Sequence, residues 1–441
     1  MPVICLSISH HTAPVELREC MSLSPEKLEE LLTGFRDKDR DFASITELVA
    51  LSTCNRLEFY AQVENSGENA ETVFQPLLNY MRDELSLSPG LWMPYLRQYS
   101  GSQVVEHLFQ VAAGLDSIAM GETQILGQVE QAYETALRLH GAGHVLSSLF
   151  QAAIHAGKRV RTETEIGRHP TSISALAVQL AEVTLDQLPQ RNILVVGAGK
   201  MGGLTIEALQ ARGVRQIYLT SRTASHATQM AEKFGVATLP YAGIAGWFTQ
   251  ADVIFTSLAS PAPVISRELI AEAMDRRNQE PITLIDLAVP RNVDPRVKEI
   301  DQVHVFDMDD LQAFAKFSSA NSDQGLARAE AIVSEEAAGY EKLMRITPFI
   351  GELHKKAERI RQQEVKRAMR GLRQNDPAVN QQMEILSRSL VKKILHEPTM
   401  RLRKEADEEE LLQYVGTLSK LFDIHQNGSE QFDDESAGWE I

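Results

Sequence analysis

Ile193-Leu-Val-Val-Gly-Ala-Gly-Lys-Met-Gly202 decides the fold of the middle of this chain. Four apolar residues read as a buried strand, and glycines at 197, 199 and 202 follow at once, opening a helix-compatible stretch. Gly197 suits the tight exit from the strand, Gly199 lets backbone approach a pyrophosphate, and Gly202 lets the helix pack closely on the sheet. The helix N-terminus then offers unpaired N–H groups to phosphate. A second strand, Gln216–Thr220, comes about twenty residues later, the spacing of a dinucleotide-binding unit. The expected cofactor cradle is Gly197, Ala198, Gly199, Lys200, Met201 and Gly202.

The end of that second strand selects the dinucleotide. A site for NAD places Asp or Glu there to hold the ribose 2′-hydroxyl. This chain has Ser221-Arg222-Thr223, a cation and two hydroxyls suited to a 2′-phosphate, so NADPH is expected. The plain alternative is a solvent-exposed Arg222 after a strand.

At 441 residues the chain needs two or three domains. No basic and apolar leader opens it and no stretch approaches a membrane span, which predicts a soluble, cytoplasmic protein. Its three cysteines, Cys5, Cys20 and Cys54, have no disulfide or metal spacing, and no metal is expected. A net charge of −16 argues against wholesale capture of nucleic acid. The charge is uneven, however: residues 351–404 hold fourteen Lys/Arg and six Asp/Glu, and residues 405–441 hold one Lys and eleven acids.

Around the glycine motif the pattern changes twice. Residues 1–163 form one expected domain, of which 1–100 read as mixed α/β with short strands. Val3–Ser9, Ile45–Ser52 and Phe59–Val63 are strands, a helix is capped by Ser24 with Pro25 in its first turn, and a split βαβ sheet results. Helices follow over 102–113, ended by Gly114, and near 124–140 and 146–163. Residues 164–318 begin at a hinge-like segment, Thr164–Thr171, that could let the flanking halves stand apart. Thr171 or Ser172 then starts a long helix with Ile173, Leu176, Ala177, Leu180 and Val183 on one face. Strands at 193–197, 216–220, 253–258, 282–288 and 303–307 then alternate with helices as a doubly wound parallel sheet. Residues 319–441 read as helices over 321–345, 351–372, 378–396 and 405–422, broken at Pro348, Asp376-Pro377 and Glu397-Pro398. They suit a dimerisation domain, and an acidic tail from Gly428 reads as disordered.

Three places could carry chemistry. Cys54 stands in Ser52-Thr53-Cys54-Asn55-Arg56 between two strands, and Arg56 could lower its pKa or hold an anion. A small buried hydrophobe is the other reading of Cys54, and simple burial is expected of Cys5. Gly114–Gln128 gathers Asp116, Ser117, Glu122, Thr123, Gln124 and Gln128, suited to a small polar ligand or merely to capping helices. His107, on the apolar stripe between Val104 and Val111, is a core histidine or a general acid/base.

Four blocks carry a resemblance: residues 9–19 (SHHTAPVELRE), 52–58 (STCNRLE), 114–128 (GLDSIAMGETQILGQ) and 197–202 (GAGKMG). They are similar to the signature blocks of the glutamyl-tRNA reductase family, as is 286–295 (DLAVPRNVDP), with Ser9 and Thr123 as mild departures. The resemblance implies a multidomain α/β protein: an α+β catalytic domain, a Rossmann-type domain, and a helical dimerisation domain joined by a long spinal helix from about Ser172. It implies NADPH-dependent reduction of glutamyl-tRNA(Glu) to glutamate-1-semialdehyde, the first step of 5-aminolevulinate and porphyrin synthesis, through a thioester on Cys54. His107 takes a role in activity, and Thr53, Asn55, Arg56, Ser117, Glu122, Thr123, Gln124 and Gln128 line the substrate pocket. Arg56 falls on the side-chain carboxylate and an acid on the α-amino group. A homodimer, and hand-over of product to glutamate-1-semialdehyde aminomutase, are further implications. The other classes of reading are a catalytically silent NADP- and RNA-binding regulator and a shikimate-type dehydrogenase of a free metabolite.

Overall fold

The computed structural model describes residues 3–36, 45–63, 74–84, 88–164, 166, 172–318, 323–371, 377–404 and 408–424. They fall into two compact units, Met1–Ala337 and Ala338–Ile441. The expected acidic tail and most of the Thr164–Thr171 segment lie outside the described residues.

The first unit opens with strands β1 (Val3–Ser9), β2 (Ile45–Ser52), β3 (Arg56–Val63) and β4 (Arg97–Ser100) in the order β2-β3-β1-β4. β3 runs antiparallel to both β1 and β2, so those two are parallel with β3 between them, the split βαβ arrangement. Helices α1 (Val15–Met21) and α2 (Pro25–Arg36) lie between β1 and β2. α3 (Gln75–Glu84), α4 (Ser102–Ala113), α5 (Thr123–Arg138) and α6 (His144–Glu163) complete this half. Glu47 of β2 accepts from Val145 N at 3.1 Å and Leu146 N at 2.7 Å, which places a carboxylate on the positive end of α6.

The second half of the unit is a six-stranded parallel sheet, β5 (Ile193–Val196), β6 (Ile217–Thr220), β7 (Ala237–Thr238), β8 (Val253–Thr256), β9 (Ile282–Asp286) and β10 (Val303–Phe306). Its order, β10-β9-β8-β5-β6-β7, reverses between β5 and β8 and so opens a crevice beyond the carboxyl end of β5. β5 and β8 are buried on both faces, as strands covered by helices on either side must be.

The helix begun at Ser172 is shorter than expected. Ser172 Oγ caps it by accepting from Ala175 N at 3.0 Å, but α7 covers only Ile173–Thr184, and Val183 is 72% exposed rather than on its buried face. Gln187 takes a left-handed φ of 56° and Pro189 follows, so the chain turns before β5. The long helix lies elsewhere: α12 spans Asp323–Gly371, 49 residues, and Pro348 does not break it. A proline inside a helix costs about 3 kcal/mol. Ile346, Phe349, Ile350 and Leu353 around it are buried in the core of the second unit, each contributing roughly 1.5–3 kcal/mol, and Thr347 Oγ1 donates to the Leu343 carbonyl at 2.7 Å. Packing therefore outweighs the break. Likewise α13 (Pro377–Lys404) runs through Pro398, between buried Leu395 and Leu402, and α14 (Glu408–Leu421) follows. On α13 the side chains of Ile385, Leu386, Leu390 and Ile394 stay more than half exposed, an apolar face left uncovered among the described residues. Among the described residues no helix is long and apolar enough to cross a membrane.

The antiparallel sheet buries charge. Arg56 and Glu58, two residues apart on β3, share one face and are 3% and 0% exposed. Glu58 Oε1 accepts from Ser7 Oγ, from an Arg56 terminal nitrogen and from His107 Nε2, each at 2.9 Å, while Tyr60 donates to Oε2 at 2.6 Å. Burial alone would raise the Glu58 pKa, but His107 and Arg56 outweigh it and hold the group at about 2. Removing one member of a buried ion pair leaves its partner uncompensated, at a cost of about 3–5 kcal/mol. Glu58→Gln is therefore expected to lower unfolding stability at pH 7 by about that much. Because the folded-state pKa is depressed, this contribution is full above the ordinary carboxylate range and fades as pH falls towards 2. Denaturant titrations at pH 7 and pH 4 check it, and a difference that grows on acidification contradicts it.

Candidate active site

Three residues connect β2 to β3, and their hydrogen bonds set Cys54 at the apex. Thr53 N donates to Arg56 O at 2.9 Å, and Thr53 Oγ1 accepts from the amides of Asn55 and Arg56, both at 3.2 Å. Buried Arg18 of α1 braces the turn from behind, donating to Asn55 Oδ1 at 2.8 Å and to the Cys54 carbonyl at 3.4 Å. Cys54 is accessible, unlike Cys5, which is fully buried in β1.

The thiol faces a cavity of about 260 Å³. Thr53, Cys54, Asn55 and Arg56 form one wall, and Ser117, Glu122, Gln124 and Gln128 another. Eight candidates far apart in sequence thus meet in one place. Ile173, Met201, Leu287 and Met308, from the parallel-sheet half, close the remainder. Gln124 Nε2 lies 3.6 Å from Met201 Sδ, so the glycine motif reaches the Cys54 chamber. Thr123 is the first residue of α5. Two sets of contacts hold the halves at this cavity. Val15 N donates to Asp309 Oδ2 at 2.9 Å and Arg18 pairs with the same carboxylate; Arg291 reaches Glu16 at 2.7 Å and Glu19 at 2.9 Å.

His107 is not among the lining residues. It is buried on α4, bonded to Glu58 and stacked on Tyr99 with ring centroids 4.3 Å apart, so any influence on the cavity passes through Glu58 and Arg56. Arg56 itself is heavily committed. One terminal nitrogen is 2.9 Å from both Glu58 and Asp116, and the other donates to the Asp116 carbonyl; its buried Nε has no partner among the described residues. Glu58, His107 and Asp116 bring ligand-type atoms within 4.8 Å of one another, but the guanidinium already supplies their cation. The sequence marks Asp116 only for a polar ligand or a helix cap, and Glu58 and Arg18 only as members of the quoted blocks; their long-range contacts give them a part in building the site. His10, also on the cavity wall, lies in the 9–19 block without a role assigned to it.

The electrostatics oppose an easily formed thiolate. Although Cys54 is accessible at the turn's apex, the protein packed around its sulfur pushes the thiol up to about 11 and Glu122 adds to the effect, with Arg18 and Arg56 pulling only partly back. Arg56 does pull the thiol down, the direction expected from its spacing, but burial and Glu122 outweigh it. Glu122 is itself raised to about 7 by burial, against the pull of Lys200 and Arg56.

The glycine motif fits a dinucleotide. Gly197 has φ 128°, and a Cβ there would lie 2.7 Å from Ser257 Oγ; one on Gly202 would lie 2.0 Å from the Gly197 carbonyl. Gly199 has open space before it, and α8 (Lys200–Ala211) begins with no side-chain cap, leaving its first amides available. Ser257 Oγ is buried beside the loop without a partner. Ala198, Gly199 and Lys200 also edge a cleft of about 530 Å³ shared with His226 and Lys233 of α9 (Ala224–Phe234). At the end of β6, Ser221 is half-buried and Arg222 and Thr223 are exposed, with Arg222 donating to the Ala259 carbonyl.

Since Glu122 raises the Cys54 pKa, removing its charge should make the thiol more reactive. Glu122→Gln is expected to speed alkylation of Cys54 by iodoacetamide at pH 8.5, by roughly tenfold for each pKa unit recovered. Mass spectrometry of the Cys54 peptide checks this, and an unchanged or slower rate counts against the coupling.

Comparison with known proteins bears on the whole chain. Residues 6–164 match the family model described as Glutamyl-tRNAGlu reductase, N-terminal domain, residues 179–314 match Shikimate / quinate 5-dehydrogenase, and residues 328–424 match Glutamyl-tRNAGlu reductase, dimerisation domain. A glutamyl-tRNA reductase of Trichlorobacter lovleyi is 33% identical over 433 residues, covering 98% of both chains. Another, of Natranaerobius thermophilus, is 35% identical over 427 residues, 96% of this chain and 92% of that protein. One from Thermodesulfovibrio yellowstonii is 34% identical over 96% of this chain and 99% of its own. Identity of this order along nearly the full length makes the chain a member of the glutamyl-tRNA reductase family, an oxidoreductase built around a dehydrogenase-type Rossmann domain.

Proposed function

We propose that this protein reduces glutamyl-tRNA(Glu) to glutamate-1-semialdehyde with NADPH, through a thioester on Cys54, as the entry step to 5-aminolevulinate and the tetrapyrroles. The observation that carries the reading is the shared cavity, with Cys54 on one wall and Met201 of the glycine motif on another. A covalent acyl group on the cysteine and a nicotinamide could then meet without leaving the site.

Cys54 sulfur forms a C–S bond to the ester carbonyl carbon, and the C–O bond to the tRNA ribose breaks. Its electron pair goes to the ribose oxygen, which takes up a proton. NADPH, when bound along the glycine motif, supplies the hydride that reduces the thioester carbonyl. Collapse then breaks the C–S bond, returns its electrons to Cys54 and frees the aldehyde. Arg56 Nε is the donor available to the substrate's side-chain carboxylate, and Glu122 takes the α-ammonium. Ser117, Gln124 and Gln128 supply further hydrogen bonds, and Thr53 and Asn55 shape the nucleophile turn. His107 fixes Arg56 by way of Glu58.

The same reading divides the chain into a catalytic part (1–163), an NADPH-binding part (164–318) and a dimerising part (319–441) of a cytoplasmic homodimer. The exposed apolar face of α13 is the surface a second copy would cover. A free aldehyde needs prompt consumption, which suits hand-over to an aminomutase.

Two experiments test the reading. With glutamyl-tRNA and no NADPH, the wild type should acylate Cys54 and slowly release glutamate, while Cys54→Ser should do neither yet still bind NADPH. Reductase activity persisting in Cys54→Ser would discard the covalent step; wild-type protein that binds NADPH without acylation or reduction would indicate a silent regulator. For the cofactor, a charge-assisted bond to the 2′-phosphate is worth about 1.5–3 kcal/mol, roughly ten- to a hundredfold in affinity. Arg222→Leu should weaken NADPH by that factor and leave NADH nearly unchanged in fluorescence titrations. Equal losses for both cofactors would remove Arg222 from phosphate recognition.

A further inference from the structure

His10 stands immediately after β1, and its backbone N–H donates to Asn55 O at 2.9 Å, which fixes it beside the turn that carries Cys54. His10 lines the same cavity and is only 5% exposed. Among the described residues, neither ring nitrogen has a hydrogen-bond partner. A buried polar group left in that state is costly, and one that recurs at a reactive centre points to a ligand that satisfies it.

The neighbours define what the ring can offer. Its ring centroid is 4.0 Å from that of His11, whose Nε2 is engaged 3.0 Å from Asp116 Oδ1. Burial, then His11 and Arg56, hold His10 neutral, down to about 2, with Arg18 acting the same way and Asp116 opposing. A neutral imidazole presents one N–H donor and one acceptor and has no spare proton to deliver. A proton carrier is thereby disfavoured, and a fixed hydrogen-bond donor is left.

We propose that His10 is a catalytic residue whose ring N–H receives the acyl oxygen of the substrate when Cys54 attacks, and again when the thioester is reduced. The inference rests on the thioester reading of this site. In both steps the carbonyl π pair moves onto that oxygen, and a pre-placed donor in a water-poor cavity stabilises the charge without reorganising. No other atom changes hands at His10. Arg56 Nε, the other unpartnered donor on this wall, is left for the substrate carboxylate.

The experiment is single-turnover acylation of Cys54 by glutamyl-tRNA without NADPH, followed by quenching and mass spectrometry, with glutamyl-tRNA affinity measured separately. His10→Leu should slow acylation by about a hundredfold or more, the loss typical of one oxyanion donor, with affinity changed little. His10→Asn and His10→Gln, which keep a neutral N–H near one or other ring nitrogen, should restore at least tenfold in whichever matches the productive position. The shape of the pH profile should be the same in wild type and in the restoring variant. Circular dichroism and thermal melts establish that the variants are folded. A His10→Leu protein that acylates at the wild-type rate overturns the proposal. So does a loss confined to affinity, or a pH inflection that disappears with the ring. If His10→Leu does not fold, the Asn and Gln variants decide, since loss in both of them overturns the proposal too. Wild-type protein that never acquires a glutamyl group on Cys54 refutes the thioester reading and the proposal together; a wild type that does, with an unaffected His10→Leu, refutes the proposal alone.

Discussion

Glu58 holds four donors on two oxygens with no exposure to water, and much of the catalytic half is arranged to make that tolerable. Ser7 comes from β1, Arg56 and Tyr60 from β3, and His107 from α4, so one carboxylate ties two strands and a helix together. A buried charge is sustainable only when its partners are complete. Because Arg56 is pinned by Glu58 on one side and Asp116 on the other, the start of β3 is fixed, and the preceding Thr53–Asn55 turn can take one shape only. Arg18 repeats the device from α1, with one face on the nucleophile turn and the other on Asp309 at the first turn of α11 (Met308–Ser318). Precision at Cys54 is therefore a property of the ion network beneath it.

That network explains which features were legible in the sequence. Local rules located both sheets, the split βαβ order, the Ser172 and Ser24 caps and the Gly114 stop, because strand patterning, capping and glycine conformation are set within a few residues. The same rules misplaced the long helix and inserted two breaks. Pro348 and Pro398 are strong local signals, yet each lies among buried Ile, Leu or Phe side chains whose packing outweighs it. The candidate site was legible as separate segments, 52–56 and 114–128, whose meeting in space no spacing rule could announce. His10 and Arg18 escaped for the same reason: their meaning comes from partners thirty-six or more residues away, or from having none.

His107 illustrates the limit from the other direction. Its place on an apolar stripe suggested either a core residue or an acid/base, and it is buried as the first reading requires while bonded to a carboxylate as the second would have it. A side chain that acts on the reacting group only through Glu58 and Arg56 belongs to the support of the site, and binary labels drawn from one helix face cannot express that.

The unfavourable ionisation of Cys54 becomes coherent in the same frame. With its pKa pushed up to about 11, the thiolate is a minor form at neutral pH. A site built for indiscriminate thiol chemistry would be tuned the other way. Here the largest adverse charge is Glu122, raised to about 7 and so ionised for part of the time near neutrality. Under the proposed reaction, an α-ammonium arriving beside Glu122 would cancel that charge and add an attractive one, both of which would lower the thiol pKa. Its arrival also displaces water from a cavity of about 260 Å³, which strengthens each remaining interaction. Lys200 of the glycine motif pulls on Glu122 as well, so the parallel-sheet half reaches the Cys54 thiol through the same carboxylate. Burial and Glu122 thus hold the Cys54 thiol towards its protonated form, and under the proposed reaction the binding of an aminoacyl group that carries the matching charge would supply free energy to ionise it.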